Sequence, residues 1–209
     1  MVNEVNIVNE KFFNLPLDKQ QRIINAAYEV FSMNTYKKAS MADIADAGGI
    51  SKSLLFHYFK NKKELYMFLW TEALKAVKKR IAEYLALETS DFFEMLYRSM
   101  IAKCSLMKDC PYLSAFLLRA YYDTTPDLAR DVQQNYYENY VLSQNITFDK
   151  IDYSIFRDDI DLKMMYTEIF YAIDGYMLSK FRVGQRMTDE MENEIGILIN
   201  FWKKAYTER

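Results

Sequence analysis

SMADIADAGGISKSLLFHYFKNKKEL, residues 40–65, contains three helix starts in close succession. Ser40 is a good N-cap, and Asp43 three residues later faces the positive end of the helix dipole and can reach back to the cap. Ile44, Ala45 and Ala47 give a short helix with an apolar side. Gly48-Gly49, able to take φ > 0, stops it. Ser51 caps the next helix, and Ile50 and Leu55 around that cap have the spacing of a hydrophobic staple. Asn61 with Glu64 repeats the capping-box arrangement and opens a third helix. Two short helices joined by a Gly-containing turn make a helix-turn-helix, whose second helix is the usual reader of the DNA major groove.

Working outward, residues 1–15 are poorly patterned and read as an extra helical turn or a loose arm. Asp18 with Gln21 is suited to cap the next helix. Ile24, Ala27, Tyr28 and Phe31 recur at i, i+3, i+4 and i+7, one apolar face of a helix to about Met33 that backs the motif. In the reading helix, Ser51 to Phe59, the expected inward residues are Leu55, Phe56 and Phe59. Lys52, Ser53, Leu54, His57 and Tyr58 are left to face solvent or DNA. Lys52 and Ser53 lie in the first turn, the part that usually reaches base edges. Leu54 offers only apolar contact, for example to a thymine methyl. His57 is the only histidine, which argues against metal sites built on several histidines and against Ser-His-Asp catalysis. Ser40 and Lys62 start helices, where backbone N–H groups favour an anion. Lys37 and Lys38 are weaker candidates for phosphate contact.

These residues resemble the N-terminal domain of TetR-type bacterial transcriptional regulators. The shared pattern appears as Phe31 with Tyr36, then Ser40, Ile44-Ala45, Ala47-Gly48 and Ile50-Ser51, then Leu55-Phe56, Phe59, Lys62 and Leu65. The match covers about the first third of the chain. It implies DNA binding by a homodimer whose interface is the last two helices, and it places the counterparts of His57 and Tyr58 near backbone phosphates; for His57 the alternative is a solvated aromatic face. Two departures show: Thr35 and Ser53 stand where glycine is common. Asn34 is the expected supplier of the left-handed turn in place of the first glycine.

The charge is uneven. Residues 16–80 carry 12 Lys and Arg against 6 Asp and Glu, whereas residues 81–209 carry 14 against 21. A basic N-terminal part on an acidic body suits a phosphate-binding module joined to a partner-binding one. Only 5 Gly and 3 Pro punctuate 209 residues, which favours long helices over many strands. Cys104 and Cys110 have neither metal nor redox spacing and read as reduced thiols. The opening MVNEVNIVNEKFF shows no basic region followed by an apolar core, and no apolar run is long enough to span a bilayer, so a cytoplasmic location is expected.

Beyond Asn61 one long helix is expected to about Ala86, then helices from Asp91 to Met107, Pro111 to Tyr122 and Pro126 to about Gln144. A loop is expected over 145–161, and Gly184 with Asp189 frames a turn between the last two helices. The body holds most of the 17 Tyr and 12 Met, residues that line adaptable cavities as well as plain cores. Arg119 and Asp174 stand as charges inside apolar runs and are expected to be paired, at an interface or facing a ligand. With Met100, Cys104, Met107, Phe116, Tyr136, Tyr140 and Phe170 they form the candidate ligand set. The last helix is apolar on two faces. Met165, Ile169, Ile173, Ile195, Leu198 and Trp202 are the candidate dimer contacts of a two-fold four-helix bundle; the alternative is that both faces are covered within one chain.

The expected fold is all-α: a three-helix DNA-binding domain over 1–62 and a larger helical domain over 63–209 for effector and dimer contacts. The expected function is a homodimeric repressor released from a near-palindromic double-stranded operator by a small, largely apolar effector, with no cofactor, no metal and no enzymatic activity. The rival reading is a helical small-molecule-binding protein or enzyme with a vestigial helix-turn-helix. A third is a helical adaptor that binds protein through its basic face.

Overall fold

The structure, a computed structural model, describes residues 10–182 and 188–208. Residues 1–9 of the expected arm and the Gly184 turn lie outside the described residues. Ten α-helices and no strand occur among those described: α1 Glu10–Phe13, α2 Leu17–Met33, α3 Met41–Ala47, α4 Lys52–Tyr58, α5 Lys62–Glu83, α6 Phe92–Asp109, α7 Pro111–Tyr121, α8 Pro126–Phe148, α9 Leu162–Arg182 and α10 Asp189–Thr207. A 3-10 turn at Tyr153–Ile155 interrupts the loop after α8. That helix runs to Phe148 and not Gln144, taking the first residues expected to be loop.

The chain forms two compact units. The first is Met1–Lys75 with Tyr112–Tyr136, the second Ala76–Pro111 with Tyr137–Arg209. In the first, α2 packs on α3, α3 on α4 and α1 on α4. Phe116 of α7 is fully buried, its ring 4.8 Å from Tyr66, 5.3 Å from Tyr28 and 6.2 Å from Phe31. Two hydrogen bonds add to it: Tyr28 Oη donates to the Leu69 carbonyl at 2.8 Å, and Trp70 Nε1 to Asn135 Oδ1 at 2.9 Å.

The second unit is built on α6, α9 and α10. Phe92, Phe93 and Cys104 of α6, Met165 and Ile169 of α9, and Ile195 and Trp202 of α10 share one apolar core. Asp91 caps α6 by accepting from the N–H groups of Phe93 and Glu94, and its other oxygen accepts from Lys203 Nζ at 2.7 Å. Of the six expected dimer contacts, Met165, Ile169, Ile195 and Trp202 are buried in this core, and Ile173 and Leu198 pack against it. The apolar surface these helices leave open lies one helical step round, at Met164 and Tyr171 of α9 and at Ile197 and Phe201 of α10, 68% and 65% exposed.

Candidate DNA-binding face

Each start in residues 40–65 forms where the capping chemistry puts it. Ser40 Oγ accepts from the Asp43 N–H at 3.1 Å, Ser51 Oγ from Leu54 at 3.2 Å and Asn61 Oδ1 from Glu64 at 2.9 Å. Gly49 takes φ +66°, closing the turn between α3 and α4, whereas Gly48 stays right-handed. Arg22 of α2 braces that turn, its Nε donating to the Gly48 carbonyl at 3.0 Å. Two expected caps differ. The residue before α2 is Pro16, with no side-chain cap; Gln20 instead donates to the carbonyls of Phe13 and Leu15. Asn34 is extended, not left-handed, and closes α2 through its side-chain amide on the Val30 carbonyl at 3.0 Å. The turn at Thr35 thus needs no glycine.

In α4 the buried stripe is Leu55, Tyr58 and then Phe59, spaced i, i+3, i+4. Two expectations reverse. Phe56, expected inside, is 41% exposed, and Tyr58, expected outside, is 6% exposed with its ring edge-on to Phe12 at 5.7 Å. The stripe sits one position round because α1 covers that side of α4. Lys52, Ser53, Leu54 and His57 face outward as expected. The Ser53 and Ser51 hydroxyls lie 3.0 Å apart, so Ser53 is tied to the cap that starts the helix.

Beside this helix lies an open concavity of about 360 Å³, lined by Lys37, Lys38, Ala39, Ser40, Met41, Ala42, Lys52, Phe56, Asn61 and Lys62. Four of those residues are lysines and none is acidic. Lys62 does not reach freely outward. Its Nζ donates to the carbonyls of Tyr36 at 2.6 Å and Ala39 at 2.8 Å and sits 4.5 Å from the centre of the Tyr36 ring. Burial among these groups lowers its pKa. It holds the turn between α2 and α3 from below, while Lys37, Lys38 and Lys52 are exposed. Phe56 is the lining residue the sequence reading misplaced. Its spacing of four from Lys52, whose Nζ is 6.0 Å from its ring, was the available signal.

Of the ligand candidates, Phe116, Arg119 and Tyr136 belong to the first unit. Phe116 is core, Arg119 Nε donates to the Ser32 carbonyl at 2.9 Å, and the Tyr136 ring lies 4.3 Å from that of Tyr121. The others belong to the second unit. Met100 and Cys104 are buried in its core, with Met107 packed against it. The Cys104 thiol is pushed up to about 11 by burial and then by Glu192. Tyr140 pairs its hydroxyl with Thr167 Oγ1 at 3.0 Å and meets Phe170 edge-on at 4.6 Å. Asp174 exerts its charge on Lys103, whose pKa burial lowers. Among the described residues no group of His, Cys, Asp and Glu is placed to hold a metal, and no described helix is long and apolar enough to cross a membrane.

The capped helices α3 and α4, with the glycine turn between them, form a helix-turn-helix beside a basic concavity. Residues 23–67 match the profile of the bacterial regulatory proteins of the tetR family. The chain is 32% identical over 89 residues to an HTH-type transcriptional regulator, YhgD, of Bacillus subtilis, covering 42% of this chain and 46% of that one. It is also 32% identical over 65 residues to the fatty acid metabolism regulator protein of Bacillus subtilis, covering 31% and 34%. The chain thus matches less than half the length of these curated relatives. The fold extends further: the structure of the fatty acid degradation regulator FadR from Bacillus halodurans superposes with a TM-score of 0.69 over 90% of this chain and 96% of that one, at 16% identity.

Proposed function

We propose that this chain is a transcriptional regulator, a homodimeric repressor that binds a near-palindromic duplex through α4 and the concavity beside it. Residues 1–62 carry DNA binding, and 63–209 carry effector and dimer contacts. The observation that carries the reading is the concavity: four lysines and no acid, next to a helix that shows Lys52, Ser53 and Leu54 to solvent. Lys37, Lys38 and the Ser40 end of α3 meet phosphates, Lys52 and Ser53 meet base edges, and Leu54 with Phe56 offers apolar contact to thymine methyls. Two heads about one turn of DNA apart, ~34 Å, read the two half-sites. The role is non-enzymatic and cytoplasmic.

Ile197 and Phe201 on α10, with Met164 and Tyr171 on α9, are the apolar surface proposed for the second copy. A small, largely apolar effector is proposed for the second unit, near Met107, Tyr140 and Phe170, with Asp174 and Lys103 as polar neighbours. The relatives that carry fatty acid regulation in their names favour an acyl chain as first probe. The effector acts only by the difference in its affinity for the DNA-competent and DNA-incompetent states. The test is selection of duplexes from a random double-stranded pool by the full chain. A shared, near-palindromic sequence is expected, released on adding a long-chain fatty acid. Recovery of unrelated sequences would overturn the regulator reading, and a complex indifferent to the fatty acid would overturn the acyl effector alone.

A further inference from the structure

The turn between α2 and α3, residues 34–39, shows Lys37 and Lys38 to the concavity on one side. Its other side is held by side chains from far along the sequence. Arg119 of α7 donates Nε–H to the carbonyl of Ser32, in the last turn of α2, where backbone carbonyls lack helical partners and a cation complements the helix dipole. Asp123, just past α7, divides its carboxylate. One oxygen accepts from the Tyr36 N–H at 3.3 Å, and the other accepts from Thr125 at 2.8 Å and so fixes the start of α8. Between them, Tyr66 of α5 is buried edge-on to Tyr36 at 5.2 Å and to Phe116 at 4.8 Å. Burial and then the Asp123 charge push the Tyr66 hydroxyl up, with Arg119 opposing, so both charges lie close to it. Lys62 closes the ring from below on the Tyr36 and Ala39 carbonyls.

We infer that Arg119 and Asp123, some 85 residues beyond the turn and outside the segment that matches the family profile, are positioning residues for the phosphate-contacting lysines of the α2–α3 turn. Neither touches DNA. They fix the end of α2 and the Tyr36 amide, and so set where Lys37, Lys38 and the Ser40 end of α3 stand relative to α4. The physical requirement is order: a charge on a loose turn contributes little to a phosphate contact, because its chain must be immobilised on binding. The inference rests on the DNA-binding reading above.

The test uses a duplex selected from a random pool by the wild-type chain, titrated at several salt concentrations with Arg119→Ala, Arg119→Lys, Asp123→Ala and Asp123→Asn. Arg119→Ala and Asp123→Ala are expected to weaken binding about tenfold and to flatten the log–log salt slope by about one, as phosphate contacts are lost. The ranking of sequences, set by α4, is expected to stay unchanged. Arg119→Lys and Asp123→Asn, which keep a donor and an acceptor in place, are expected to recover much of the affinity. Hydroxyl-radical footprints should lose protection at the outer phosphates only. A plain structural role would lower the melting temperature and weaken binding without changing the salt slope, and that pattern would overturn the inference. So would alanine variants with wild-type affinity and slope. If the wild-type chain selects no duplex, the DNA-binding reading fails and this inference fails with it; a wild-type complex with unaffected variants overturns the positioning role alone.

Discussion

Gly49 is the one described glycine with positive φ, +66°, and the turn between α3 and α4 depends on it. A Cβ there meets nothing closer than the Arg22 guanidinium at 3.9 Å, so Gly49→Ala isolates the backbone cost, about 1–2 kcal/mol for a left-handed L-residue. Urea unfolding should show that loss, and an unchanged midpoint would contradict the turn geometry. At Asp91 burial raises the carboxyl, but Lys203 and the N–H groups of Glu94 and Phe93 outweigh it, so its pKa lies below the ordinary value. A depressed folded pKa means its contribution is present above the unfolded carboxyl pKa of about 3.9 and is lost as pH falls through the lower folded value. Asp91→Asn keeps the cap and removes the charge, so its melting temperature should fall less than the wild type's below pH 4. Caps at Ser40, Ser51 and Asn61 were legible because the partner amide is three residues away. Phe56 and Tyr58 were not, because α1 decides which is covered, and hydrophobicity alone ranks phenylalanine inside.

At the scale of elements, α9 and α10 separate two apolar faces that periodicity could find but not assign. The face with Ile195 and Trp202 closes on α6 within the protomer, and the face with Ile197 and Phe201 stays open. Replacing both Ile197 and Phe201 by Glu should give a folded monomer, measured by sedimentation alongside a thermal melt. Trp202→Ala should instead cost about 3–5 kcal/mol of protomer stability. A double variant that still sediments with the wild type would place the contact elsewhere. Periodicity could not say which face α6 would cover, since each residue's burial depends on what α6 presents.

Across the whole molecule, helix content and the position of the helix-turn-helix followed from sparse Gly and Pro and from one 26-residue stretch. The membership of α7 in the first unit did not. It rests on Phe116 meeting Tyr28, Phe31 and Tyr66, on Arg119 meeting the end of α2 and on Asp123 meeting the turn after it, contacts 50 to 88 residues apart in sequence that no local pattern marks. The division of charge, 12 basic against 6 acidic residues over 16–80 and 14 against 21 over 81–209, directs a polyanion to the basic part. The most direct test is binding of the full chain to the DNA immediately upstream of its own coding region, at two salt concentrations. The wild type should bind tightly and with sequence preference, losing affinity steeply as salt rises, and Lys37→Ala with Lys38→Ala should flatten that dependence by about two for each protomer bound. Weak binding, equal on every sequence and indifferent to those lysines, would contradict the assignment of this face to DNA.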